Sequence, residues 1–184
     1  MAILPILTYD DDVLYRETEP VEESTSALQQ LIDDMFETMY NADGVGLAAP
    51  QVDRTERVFV IDADSMAEED GEEGPGPLVM INPEITFASD RQVEIEEGCL
   101  SIPGVNAAVR RPEEIEVAYL DRDLERQRLR VNGILARVIQ HETDHLHGVL
   151  FLDHLSVFKR KLLGSKLREI ADGRIEADYP LAPK

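Results

Sequence analysis

NGILARVIQHETDHLHG, residues 132–148, opens on a turn dipeptide, ends on a glycine and holds a helical spacing of apolar residues between them. It predicts a helix that stops near Gly148. Ile134, Val138, His141 and His145 are four, three and four apart, so they share one stripe, with Leu135, Ile139, Glu142 and Leu146 in a second stripe beside it. Residues four apart stand one above the other, so the imidazoles of His141 and His145 can grip one metal ion from the same face. Glu142 between them is aimed beside that ion, where it can take a proton from activated water. The alternative is a helix with two incidental surface histidines, but a solvated face would not set them among apolar neighbours. A buried face with two histidines and a glutamate needs partners for its polar groups, and a metal supplies one.

Two imidazoles hold a metal weakly; a catalytic site usually takes three protein ligands and leaves one position open. His147 points off the motif face, and nothing in its spacing favours His154. Carboxylates are too numerous for composition to single one out. The lone cysteine, Cys99 in Glu97-Gly98-Cys99-Leu100-Ser101, is the sharper candidate, because a thiolate is a strong ligand for zinc or iron(II). An isolated cysteine is more often a small buried apolar residue, but Gly98 leaves room beside this one for a ligand or another chain. A zinc endopeptidase is the competing reading of the two-histidine helix. Its metzincin form needs a third histidine where Phe151 stands, and Glu169 lacks the surroundings of a thermolysin-like ligand. A structural metal site would close its fourth position with another Cys or His.

The 184 residues suit one domain with its own core, built from Val, Ile, Leu and Met because only 5% are aromatic. One cysteine rules out an internal disulfide and fits a reducing compartment. The start MAILPILTYDDD has no basic segment or long apolar run, and no stretch reaches membrane-spanning length, so a cytoplasmic location and no membrane contact are expected. A net charge of −20 argues against nucleic-acid binding through a basic face. Lysine is scarce, only Lys159, Lys161, Lys166 and Lys184, and the acidity bears on solubility rather than chemistry.

Elsewhere the patterns predict a helix over 26–40, with Leu28, Leu31, Ile32, Met35 and Met39 on one face and capping-box spacing between Ser26 and Gln29. Strands are expected at 57–62, 78–81 (ended by Asn82-Pro83), 93–97, 115–120 and 127–131, the last two joined by a turn around Asp121-Arg122-Asp123. Residues 63–77 form an acidic, Gly/Pro-rich loop without a core pattern. A last helix is expected over 156–171, with Val157, Phe158, Leu162, Leu163, Leu167 and Ile170 as its apolar set and Gly164 weakening it. The tail, 173–184, ends in a proline-containing stretch from Tyr179 expected to extend or fray.

Three segments together resemble the peptide deformylases. They are Gly44-Val45-Gly46-Leu47-Ala48-Ala49-Pro50-Gln51, Glu97-Gly98-Cys99-Leu100-Ser101 and Gln140-His141-Glu142-Thr143-Asp144-His145-Leu146-His147-Gly148, in the family's order and separation. Ile81-Asn82-Pro83 and the run from Ile102 to Arg111-Pro112 add to the likeness, which covers roughly residues 3 to 165. Asn106 stands where some relatives have an arginine, and Arg137 where some have an apolar residue near the pocket.

The resemblance implies an α+β fold, with antiparallel β-sheets packed around the central HExxH-bearing helix and further helices near the N- and C-terminus. It implies removal of the formyl group from formyl-methionine of nascent polypeptides, with release of formate. Cys99, His141 and His145 would hold one divalent metal, with iron(II) favoured and zinc, nickel or cobalt also suited to that donor set. Glu142 would be the base, and the Gln51 side-chain amide with the Leu100 backbone N–H would stabilise the oxyanion. Gly98 and the Val45-Gly46 backbone would pair with the peptide, while Val45, Ile95, Ile134 and Val138 would line the methionine pocket. A monomer with transient ribosome association is the accompanying expectation.

Overall fold

The computed structural model describes residues 1–64 and 75–184, so most of the acidic stretch 63–77 lies outside the described residues. Helix α1 spans Ser26–Asn41. Strands β1 (Gly46–Ala48), β2 (Val58–Ile61), β3 (Leu78–Ala88), β6 (Glu114–Leu120) and β7 (Arg126–Asn132) form a five-stranded antiparallel sheet in the order β1-β2-β3-β6-β7. Strands β4 (Gln92–Glu97) and β5 (Ala107–Pro112) make a separate antiparallel pair. Helix α2, Gly133–Leu146, carries the histidines.

Strand β2 is buried along its whole length because both faces of the sheet are covered. Successive strand side chains point to opposite faces. Val58 and Val60 accordingly pack with Leu31, Met35 and Met39 of α1. Phe59 and Ile61 pack with Ala136, Val138, Ile139 and Leu146 of α2. Each fully buried aliphatic side chain contributes about 1.5–3 kcal/mol, so the apolar stripe of α2 presses the helix onto the sheet and leaves its histidine edge beside β1. A third cluster, with Leu14, Ile102, Val109, Phe151, Leu167 and Ile170, joins the β4–β5 pair to the C-terminal helices.

Several expectations need correction. The N-cap of α1 is Thr25, whose hydroxyl accepts from the Leu28 N–H at 3.1 Å. Ser26 is already helical, and Gln29 donates to Ser24 and the Arg122 carbonyl instead of closing a capping box. Strand β3 does not stop at Asn82-Pro83 but runs to Ala88, with the ladder shifting register between Ile81 and Glu84. Asn82 takes a φ of 49°, which asparagine tolerates, and its side chain pairs with both backbone groups of Val21 at 2.9 and 2.7 Å. Pro83, with no N–H to offer, therefore falls where the ladder is already broken. Strand β5 has no counterpart in the sequence reading, because its inward residues are Val109 and a charged one, Arg111, which hides the alternation.

The expected C-terminal helix is two, α3 (Val157–Leu162) and α4 (Gly164–Ala171). At their junction the Leu163 N–H bonds Arg160 rather than Lys159, so the two apolar stripes fall out of phase. Leu167 and Ile170 reach the core, whereas Val157, Phe158 and Leu162 are 87%, 70% and 69% exposed. The tail is extended: Leu181 pairs with Ile6 in a parallel bridge. No helix among the described residues is long and apolar enough to cross a membrane.

Candidate active site

Helix α2 delivers His141, Glu142 and His145 to one buried corner. Cys99 arrives from the turn that follows β4, in which the Ile102 N–H closes on the Cys99 carbonyl at 2.9 Å. Its Sγ lies 3.3 Å from His145 Nε2, and the ligand atoms of Cys99, His141 and His145 all fall within 4.8 Å of one another. Bonds of about 2.0–2.3 Å to nitrogen and sulfur in a tetrahedral shell place ligand atoms at such separations, so the three residues fit one ion. Phe151, at the position a metzincin would give to a third histidine, stacks on the His141 ring at 6.2 Å. His147 is half-exposed towards Glu17, and His154 bonds Asp144 at 2.7 Å, so neither joins the cluster.

His141 is aimed by a buried ion network. Its Nδ1 meets Glu97 Oε2 at 2.9 Å, which turns Nε2 towards the cluster. Glu97 is also held by Arg111 and by Arg137, each at 2.7 Å. Arg111 reaches on to Asp144 at 2.7 Å, so two arginines balance two carboxylates. Burial alone would raise the Glu97 carboxyl, but hydrogen bonds from His141 and Arg111 outweigh it and hold it well below the ordinary carboxylate range. Burial, the largest cause, pushes His145 well below its usual value, towards the neutral form a metal takes.

Glu142 differs from its neighbours. Its Oε2 is buried with no protein partner, and burial pushes its carboxyl up to about 7, against the opposing charges of His141 and Arg111 and with those of Glu97 and Asp144. It sits against β1 only because position 46 is glycine: a Cβ there would lie 2.4 Å from Glu142 Oε1. Gly46→Ala is therefore expected to fold and to keep its metal, since the atoms crowded, Glu142 Oε1, Cδ and Cγ, all belong to one side chain and not to backbone, yet to lose at least about tenfold in kcat by moving the base out of line. Unchanged kcat would show that Glu142 tolerates the shift.

Gln51, in the short 3-10 turn Ala49–Val52 after β1, is buried and oriented. The Ala48 N–H donates to its Oε1 at 2.9 Å, which settles the amide orientation. Its Nε2 then faces Ser101 Oγ at 3.1 Å and Cys99 Sγ at 3.5 Å, beside the cluster. Gln51, Cys99, His141 and Glu142 open on a cavity of about 410 Å³. Of the residues expected to meet substrate, Val45, Gly46, Gln51, Gly98, Leu100, Ile134 and Val138 line it. Ile95 does not. The Arg137 guanidinium instead bonds the carbonyls of Val93, two residues before Ile95 on β4, and Val109, opposite it on β5, and lines the wall itself.

Glu97, Arg111, Arg137, Asp144 and Tyr179 were given no role by the sequence reading. Glu97 offered one signal, since it stands in the same short motif as Cys99, two residues away. Tyr179 gave none, being 79 positions from its partner Leu100.

One sulfur and two imidazoles within reach of a single ion, with an unpaired carboxyl at their side, define a metal-dependent hydrolase. Residues 3–161 match the polypeptide deformylase family model. The chain belongs to that family. It is 57% identical over 186 residues to the peptide deformylase of Salinibacter ruber, covering 99% of this chain and 95% of that protein. It is 46% identical to that of Chlorobium phaeovibrioides, over 98% and 93%. Among solved structures, the peptide deformylase of Legionella pneumophila superposes with a TM-score of 0.84 at 41% identity, covering 94% of this chain and 98% of that one. The Ehrlichia chaffeensis enzyme in complex with actinonin gives 0.85 at 38%, covering 96% and 100%.

Proposed function

We propose that the chain hydrolyses the formamide at the N-terminus of newly made formyl-methionyl polypeptides, leaving formate and a free amine. The observation that carries this reading is the unpartnered Glu142 carboxyl between the two histidines of a three-ligand cluster, with the Gln51 amide turned towards the same point. Cys99, His141 and His145 would hold a divalent ion, which would supply Lewis acidity and lower the pKa of a water. Glu142 accepts the proton of the attacking water and returns it to the departing nitrogen. As the formyl oxygen gains negative charge, the Gln51 Nε2 amide and the Leu100 N–H donate to it. The Gly98 and Val45-Gly46 backbones hold the peptide extended.

Formyl-Met-Ala-Ser should yield formate and a primary amine, while casein remains intact. Cleavage of casein with the formyl peptide untouched would overturn the reading in favour of an endopeptidase; Phe151 in place of a third histidine speaks against that class. Iron(II) is the proposed working ion, and the sulfur-and-imidazole donor set also accepts zinc or nickel. Metal analysis of protein purified without air, paired with turnover, checks this; zinc alone at full turnover would overturn it.

The methionine side chain is proposed to enter between Val45, Ile134 and Val138, all on the cavity wall. Val138→Phe should fill that space and cost about 1–3 kcal/mol of discrimination between formyl-Met and formyl-Ala peptides at full metal occupancy. An unchanged Met/Ala ratio in kcat/KM would assign Val138 to the core alone. The site draws on residues from Asp43 to Tyr179, which supports a single catalytic unit. The substrate emerges at the ribosome in the cytoplasm, which supports that location and a transient ribosome association; the monomer is the proposed state.

A further inference from the structure

A primary amide offers one acceptor and two N–H donors in a single plane, and the torsion that turns this plane on a glutamine is soft. For Gln51 to present one N–H at a fixed point, the plane must be held from more than one side. The Ala48 N–H holds Oε1 at 2.9 Å. That bond makes Nε2 the group facing Ser101 Oγ at 3.1 Å, so the hydroxyl oxygen accepts there. One N–H is thereby occupied by Ser101. The other is left on the side of Cys99, whose Sγ lies 3.5 Å from the same nitrogen.

The pairing is built into the fold. Gln51 and Ser101 stand 50 positions apart in the chain, yet both are buried, at 1% and 0% exposed. Two residues of the N-terminal segment hold their backbones. Leu7 N–H donates to the Gln51 carbonyl at 2.8 Å, and Tyr9 N–H to the Ser101 carbonyl at 2.9 Å. Ser101 also belongs to the turn that carries Cys99 and Leu100, closed by the Ile102 N–H on the Cys99 carbonyl at 2.9 Å. Its hydroxyl thus joins that turn to the Gln51 amide.

We propose that Ser101 is a positioning residue for the Gln51 amide, its hydroxyl oxygen fixing one Nε2 N–H so that the other is aimed at the formyl oxygen. This rests on the deformylase reading, in which that second N–H is an oxyanion donor. The competing role is structural, a fully buried side chain that only fills the turn bearing Cys99.

Ser101→Ala in two backgrounds separates the roles. In the otherwise wild-type chain, kcat for formyl-Met-Ala-Ser should fall about three- to tenfold, the scale of one hydrogen bond, with KM within about twofold and metal content unchanged. In Gln51→Leu, which has no amide to aim, the same substitution should change kcat by less than about twofold, because a residue that acts through another is silent once the other is gone. An equal loss in both backgrounds, a loss that tracks metal, or wild-type kcat in Ser101→Ala would each overturn the proposal. The bond is also read without turnover, by NMR of the zinc-loaded protein with labelled glutamine. The Gln51 side-chain pair, identified by its absence from Gln51→Leu, should have one proton downfield and slow to exchange, and Ser101→Ala should return it upfield. Two protons at free-amide positions in the wild type would overturn the proposal even if Ser101→Ala failed to fold. Should the wild-type protein fail to deformylate, the proposed function falls, and the Gln51 proton still decides the positioning bond.

Discussion

Glu142→Ala is expected to bind metal as the wild type does and to lose about a thousandfold or more in kcat, towards the upper end of what positioned proton transfer contributes. Metal retention follows from the geometry. The three atoms gathered within reach of one ion belong to Cys99, His141 and His145, and His141 is aimed by Glu97 rather than by Glu142. The size of the loss follows from the lack of a substitute. Glu97 is occupied by His141 and two arginines, and Asp144 by Arg111 and His154, so neither can turn to accept a proton. Metal analysis and kcat on one preparation test both halves. Turnover near wild type would move the base elsewhere, and metal lost in step with activity would make Glu142 a ligand.

Gln51→Leu should lower kcat about a hundredfold, the effect of one missing oxyanion donor. The side chain is buried and held by the Ala48 N–H, so the donor is fixed before substrate arrives and costs no reorganisation during reaction. Leucine fills similar space without the amide. A product peptide has no formyl carbonyl, so its affinity should change little. A variant that held its kcat but lost product affinity would place Gln51 in peptide binding.

The helix bearing His141 and His145 was legible because its pattern is local: the 3.6-residue period relates sequence directly to one face, and the spacing of the two histidines is contained within two turns. The strands at 57–62, 115–120 and 127–131 were legible for the same reason, and Cys99 as a lone soft ligand next to a glycine. Strand β5 and the continuation of β3 were not. Arg111 breaks the apolar alternation of the first, and Asn82-Pro83 imitates a stop in the second, because a partner outside the local sequence satisfies each.

By its sequence alone this chain determined the class of its core, the motif helix, the three side chains that come together as candidate metal ligands and, through its three motifs, the family. What only the tertiary structure decided is how those groups are held. The ion network of Glu97, Arg111, Arg137 and Asp144 joins β4, β5 and α2, and the Tyr179 bond brings the chain's end to Leu100. Likewise the single apolar stripe read across 156–171 became two short helices, one with its apolar residues in solvent. The physical reason is the same in each case. A charge is buried only when its partner arrives from elsewhere in the chain, and an apolar side chain is buried only when the backbone carries it to the core. No local period records either meeting.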